Sequence, residues 1–198
     1  MIAMPELTTE RLTIRPFTME NFDAWGGPDG CAPPDAFEEN DPLEWFEWTV
    51  RNYGPLARLD QPPYGDRAVI HRETGVLIGA TGFVPCLFPL EVLRHFRDTD
   101  EQPERVSSTP EFGVFYSFGE AYRGHGYATE AARAMVEYAF TVLNVRRLVL
   151  NTGVENVASM RVMERLGMTV LHNPLDMPAM RVIGVLENPA PGTPVVTA

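Results

Sequence analysis

The sequence predicts a mixed α/β (α+β) domain of 198 residues, and three observations carry that prediction. Strand-like alternation and helix-like periodicity interleave along the chain in the order β-α-α-β-β-β-α-β-α-β. Glycine and proline clusters separate the segments. The length suits one sizeable core and is short for two, so residues 1–187 are expected to form a single domain.

Arg11–Pro16 alternates Leu12 and Ile14 with polar residues and reads as a strand. Thr18 offers an N-cap to a short helix carrying Phe22 and Trp25, which stops at Gly26-Gly27. Residues 26–41 are rich in Gly, Pro and acids and read as a loop. Leu43–Leu59 has helical spacing through Trp45, Trp48 and Tyr53, with Pro55 expected to end or kink it. Ala68–His71 and Val76–Val84 read as a hairpin turning at Glu73-Thr74-Gly75.

Residues 85–110 form a long irregular segment with one helical turn around Leu90–Phe96. Phe112–Phe118 is an apolar, aromatic strand, and Gly124–Leu143 is the clearest helix. Arg146–Thr152 alternates again, and Asn156 caps a helix whose face is Ala158, Val162 and Leu166, ended by Gly167. Arg181–Leu186 is the last strand. Residues 188–198, with three prolines and a glycine, are expected to be a disordered tail.

The formal net charge is −11, and all 16 positive residues are arginine. Residues 1–110 carry a net −10, and Asp29–Glu47 alone holds seven acids without an arginine. With no basic stripe, phosphate-backbone binding lacks its source of affinity, and anionic membrane is an equally poor partner. Neither nucleic acid nor membrane is expected. Cys31 and Cys86 suggest neither a disulfide scaffold nor a zinc site, and the four histidines lack ligand spacing, so no metal is expected. The start of the chain lacks a signal-peptide pattern, and Val76–Leu90 is too short and too interrupted to span a bilayer, which predicts a cytoplasmic protein.

The most informative window is Phe112–Glu130, FGVFYSFGEAYRGHGYATE. An aromatic strand runs into Arg123-Gly124-His125-Gly126-Tyr127-Ala128, and a helix follows at once. Small residues let the backbone approach a ligand, and a helix N-terminus directs unsatisfied N–H groups and a positive dipole end at it, which suits a pyrophosphate. A glycine turn into a core helix is the alternative reading of the window. The pattern is neither a Walker A loop nor the dinucleotide fingerprint, whose third glycine position holds Thr129.

Arg123-x-x-Gly126-x-Ala128 resembles the R/Q-x-x-G-x-G/A coenzyme A loop of the GNAT-superfamily N-acetyltransferases. Its continuation through Tyr127, Thr129, Glu130 and Ala131 resembles the Rim-type branch, named for enzymes that acetylate ribosomal-protein N-termini. Three further segments agree in order. Thr9–Pro16 resembles the branch's opening strand, Thr74–Gly79 its central hairpin, and Asn156–Met168 its late N-x-A-S helix. The resemblance spans about residues 7–187. It departs in the length of 85–110, in Val154 where the branch often has proline, and in Met168 where phenylalanine is common.

The resemblance implies a GNAT fold: a mixed sheet of about six to seven strands, parted at the cofactor site and flanked by about four helices. It implies acetyl-CoA as co-substrate and a primary amine as acceptor. Backbone groups of Tyr116, Ser117 and Phe118 would pair with the pantetheine arm, although this strand also reads as plain core. Backbone N–H groups of His125, Gly126, Tyr127 and Ala128 would hold the pyrophosphate, with Arg123 and Gly124 shaping the approach. Asn156 would meet the cofactor arm while capping its helix, and Ser159 would assist the departing thiolate or else bond its own backbone.

Glu111 is the candidate general base, or alternatively a solvated strand-end acid. Neither cysteine sits in a nucleophile motif, so direct attack in a ternary complex is expected. A non-catalytic acyl-CoA sensor on the same fold is the alternative, and a longer acyl chain or hydroxyl acceptor a third reading. The acid cluster Asp29–Glu47 is expected to attract a cationic amine, or simply to confer solubility. Acceptor identity and oligomeric state, a homodimer included, stay open.

Overall fold

The computed structural model describes residues 3–27, 30–32, 41–98, 101, 104–175, 177 and 180–190. Its elements are β1 (Leu7–Thr8), β2 (Leu12–Pro16), α1 (Phe22–Gly26), α2 (Pro42–Arg58), β3 (Gly65–His71), β4 (Leu77–Phe88), β5 (Thr109–Phe118), α3 (Tyr127–Thr141), β6 (Arg147–Thr152), α4 (Val157–Leu166), β7 (Thr169–His172) and β8 (Val182–Glu187). The sheet has eight strands in the order β1-β2-β3-β4-β5-β6-β8-β7. Strands β5 and β6 run parallel, whereas β1–β2, β2–β3, β3–β4, β6–β8 and β7–β8 are antiparallel. Among the described residues this is the predicted mixed α/β architecture, with four α-helices. The strands beyond the six read from periodicity are β1 and β7, of two and four residues, too short to display an alternation.

The chain divides into two compact units, Met1–Val84 with Phe115–Met135 and Pro85–Val114 with Val136–Ala198. In the first, β2 buries Leu12 and Ile14 completely, as their alternation predicts. Phe17, Trp25, Cys31, Phe46, Ala68 and Ala80 form its core cluster. Phe46 sits at the centre, with its ring 5.2 Å from Phe17 and 5.0 Å from Trp25. Helix α2 starts where Asp41 accepts from the Leu43 N–H at 2.9 Å and Pro42 presets the first turn.

Pro55 does not end α2: the helix runs on to Arg58, and the Leu59 N–H still reaches the Pro55 carbonyl at 3.0 Å, since what proline removes is only its own N–H bond to the preceding turn. The buried face is Phe46, Thr49 and Ala57. Trp45 and Trp48, expected on the periodic stripe, are exposed and stack on each other at 5.5 Å. The spacing fits both faces, and only packing distinguishes them.

The second unit is built on Phe88, Leu90, Val92, Leu93, Val149, Ile183 and Val185. Part of the long 85–110 segment thus supplies core: β4 runs on to Phe88, and two 3-10 turns, Leu90–Val92 and Arg94–Phe96, follow it. Gly167, with φ of +80°, closes α4 in the left-handed conformation. Asn188 is tied to the body: its N–H bonds the Arg146 carbonyl at 2.8 Å and its side-chain amide the Val145 carbonyl at 3.1 Å. The rest of the predicted tail, 191–198, lies outside the described residues.

Candidate functional site

The site begins at the end of β5. The Gly119 N–H bonds the Ile78 carbonyl of β4 at 3.1 Å. One 3-10 turn, Glu120–Tyr122, carries the chain to Arg123, whose Nε returns to the Phe118 carbonyl at 3.0 Å. Gly124 and Gly126 then take φ of +80° and +83°. Both are left-handed conformations that cost an L-residue with a Cβ about 1–2 kcal/mol. The Gly126 carbonyl accepts from the Glu130 N–H at 3.0 Å and so opens α3. A helix starting there leaves the N–H groups of Gly126, Tyr127, Ala128 and Thr129 without intrahelical acceptors. Arg123, Gly124 and His125 are exposed, and Gly126, Tyr127 and Ala128 half-buried.

Thr129 is buried in this first turn, and its hydroxyl finds no hydrogen-bond partner among the described residues. Two positive-φ glycines and a set of N–H groups without intrahelical acceptors fit a group rich in acceptor oxygens.

A clamp that sequence reasoning missed holds this loop. Arg11 donates from Nε to Glu130 Oε2 at 2.7 Å, with its Nη2 2.6 Å from the same oxygen. The Arg11 main-chain N–H and the Thr9 hydroxyl bond Glu130 Oε1 at 2.9 and 2.6 Å. Arg11 Nη1 reaches the His125 carbonyl at 3.1 Å, and the guanidinium lies 4.5 Å from the Tyr127 ring centre. Burial pushes the Glu130 carboxyl up, but the bonds from Thr9 and Arg11 outweigh it and hold the group below its ordinary value.

Tyr116 and Ser117 are half-buried and Phe118 is buried. Gly79 of β4 fits closely against them: a Cβ there would come within 2.5 Å of the Phe118 ring and 2.8 Å of the Ser117 carbonyl. Two residues on, the Thr81 hydroxyl donates to the Phe115 carbonyl at 2.8 Å.

The remaining predicted residues belong to the second unit. Glu111 is buried, not solvated. Arg147 donates to its two oxygens from Nε at 2.7 Å and Nη2 at 3.0 Å, and the Thr109 hydroxyl adds a bond at 2.7 Å. That bonding outweighs burial, which works in the opposite direction, and pushes the Arg147 pKa upward. Asn156 caps α4, its side-chain oxygen accepting from the Ser159 N–H at 3.1 Å. Asn156 is exposed and Ser159 half-buried.

Of the acid cluster, Asp29, Asp35, Glu38 and Glu39 lie outside the described residues. Asp41 is the α2 cap, Glu44 is exposed in the first turn, and Glu47 pairs with Arg51 at 2.7 Å. Both cysteines are free; burial pushes the Cys31 thiol up to about 12 and raises Cys86 as well. Among the described residues there is no metal-binding cluster of His, Cys, Asp or Glu, and no helix is long and apolar enough to cross a membrane.

A family model, the acetyltransferase (GNAT) domain, matches residues 11–169. YkkB of Bacillus subtilis, an uncharacterized protein, is 26% identical over 179 residues, covering 85% of this chain and 87% of its own. The uncharacterized N-acetyltransferase YnaD of the same organism is 39% identical over 57 residues, and the chain spans about a third of its length, 34%. The crystal structure of an acetyltransferase from Agrobacterium tumefaciens superposes with a TM-score of 0.64 at 27% identity, covering 94% of this chain and 96% of that one. The left-handed glycine loop thus sits where a family built for acyl transfer matches, and the chain belongs to the GNAT acetyltransferases.

Proposed function

We propose that the protein transfers an acetyl group from acetyl-CoA to a primary amine, by direct attack in a ternary complex, and that it stands in the Rim-type branch. The observation that carries this reading is the Gly124–Gly126 loop opening α3, with its left-handed glycines and unsatisfied donors. The N–H groups of His125, Gly126, Tyr127 and Ala128 bind the pyrophosphate, and Arg123 and Gly124 shape its approach. Main-chain groups of Tyr116, Ser117 and Phe118 pair with the pantetheine amides, and a main-chain N–H of that strand polarises the thioester carbonyl.

Acetyl-CoA supplies an activated acyl carbon. The amine nitrogen forms the new C–N bond, the C–S bond breaks, and the thiolate leaves. Glu111 takes the proton lost by the amine, directly or through water, and Ser159 donates a hydrogen bond to the thiolate. Asn156 bonds the cofactor arm with its side-chain amide while its oxygen caps α4. The acceptor is cationic, a protein N-terminus or a small amine, drawn by the acids of residues 29–47. The protein works in the cytoplasm.

One observation favours the sensor alternative: both oxygens of Glu111 are engaged by Arg147, which leaves this carboxylate less free to take a proton. A panel of amines and N-terminal peptides, scored by acetyl-CoA-dependent thiol release, separates the two. Transfer to any amine supports the enzyme, and tight acetyl-CoA binding without transfer supports the sensor. Turnover is expected to survive Cys→Ser substitution at both Cys31 and Cys86, and its loss would exclude direct attack. Bulky substitution at Gly126 is expected to weaken acetyl-CoA binding in calorimetry.

A further inference from the structure

We infer that Arg11 is a positioning residue for the anion-binding end of α3: it cancels the charge of Glu130 and ties back the His125 carbonyl, so that the loop can receive a pyrophosphate. The inference rests on the acetyl-CoA reading above and assigns work to residues outside the loop.

Glu130 lies in the first turn of α3. A carboxylate there is favourable in the empty protein, because it complements the positive end of the helix dipole. For an incoming anion it is a rival for that same end. The geometry removes the rivalry. Both Glu130 oxygens are engaged, Oε2 by the Arg11 guanidinium at 2.7 and 2.6 Å, Oε1 by the Arg11 N–H and the Thr9 hydroxyl at 2.9 and 2.6 Å. The carboxylate therefore cannot turn to cap the first-turn N–H groups, and its charge is matched by a guanidinium in contact.

The remaining Arg11 nitrogen, Nη1, holds the His125 carbonyl at 3.1 Å. That carbonyl dipole belongs to the same turn as the proposed donors, and a bond to a cation offsets its negative end. Tyr127, the first residue of α3, fixes the approach: the guanidinium lies 4.5 Å from its ring centre, and the His71 ring meets it edge-on at 5.6 Å.

Arg11 itself is held in register from the turn that follows β3. The Arg72 N–H bonds the Arg11 carbonyl at 2.9 Å, and Arg72 Nη1 bonds the carbonyls of Thr9 and Glu10 at 2.8 and 2.9 Å. A lysine could supply the charge but not three directed contacts at once.

The test compares wild type, Arg11→Ala, Glu130→Gln and the double variant, after thermal melts confirm that each is folded. Acetyl-CoA binding is measured by calorimetry at low and high salt, and acetyl-pantetheine, which lacks the pyrophosphate, by NMR titration. Arg11→Ala is expected to weaken acetyl-CoA about tenfold at low salt, with acetyl-pantetheine unchanged. Adding Glu130→Gln is expected to recover most of that loss, which a merely structural clamp would not do. A double variant as weak as Arg11→Ala, or equal losses for the two ligands, overturns the inference. Failure of the wild type to bind acetyl-CoA instead overturns the reading beneath it.

Discussion

Arg147 grips Glu111 through two nitrogens, Nε at 2.7 Å from one carboxylate oxygen and Nη2 at 3.0 Å from the other, with the Glu111 side chain 4% exposed. Such a pair is costly to break from one side, because the survivor keeps its charge in a dry place. Arg147→Met is expected to lower stability by about 3–5 kcal/mol, and adding Glu111→Gln to recover part of it, as read by urea denaturation. Glu111→Gln also tests the chemistry. If Glu111 accepts the amine proton, kcat falls at least about a hundredfold with KM little changed; unchanged kcat assigns the pair to structure alone.

Gly79 and Gly126 fail differently when given a side chain. Gly79→Ala would force a methyl onto the Phe118 ring and the Ser117 carbonyl, and is expected to destabilise by about 1–3 kcal/mol. At Gly126 there is room, the nearest atom being Arg11 Nη2 at 3.6 Å, but the φ of +83° is strained for alanine. Gly126→Ala is expected to cost about 1–2 kcal/mol and to weaken acetyl-CoA binding as well. Denaturation midpoints and calorimetry on both variants distinguish the cases.

Asp66 on β3 gives stability a pH dependence. It is 9% exposed, and burial pushes its pKa from 3.8 up to about 7. Between those values the folded state holds a proton that the unfolded chain has lost, so stability falls as pH rises. The contribution is fully present below pH 3.8 and gone above about 7. The loss is on the order of 4 kcal/mol. Asp66→Asn is expected to be the more stable protein at pH 8 and to flatten the slope between pH 4 and 7. Parallel slopes in urea titrations of the two proteins would refute the assignment.

The acids of residues 29–47 are expected to act on encounter. Replacing Glu38, Glu39 and Glu44 with glutamine spares Asp41, the α2 cap, and Glu47, which pairs with Arg51. For a cationic amine found in the panel, KM should rise several-fold at low salt and converge with wild type near 0.5 M salt, where the screening length is roughly 4 Å. An unchanged KM at low salt leaves solubility as the role of these charges.

The legible parts of this protein were those in which neighbours along the chain decide the outcome. The glycines around His125, the Asn156 cap, the Gly167 stop and the Leu12–Ile14 alternation each follow from local chemistry, and each stands where expected. What stayed hidden depends on partners far apart. Arg11 and Glu130 are 119 residues apart and Glu111 and Arg147 are 36, and no local pattern announces either pair. The exposed faces of Trp45 and Trp48 were hidden for the same reason. For Glu111 the consequence is substantive, since the candidate general base, alternatively a solvated strand-end acid, is buried in a bidentate pair.

Strand β8 is the last of the described strands yet lies between β6 and β7, pairing with six residues of one and four of the other. During synthesis, β6 and β7 are made before the strand that joins them. Until Val182–Glu187 is in place, the facing edges of β6 and β7 lack this partner and are open to pairing with another chain. A ribosome that stalls before that point releases a chain with an unfinished sheet, prone to aggregate rather than merely to lose activity.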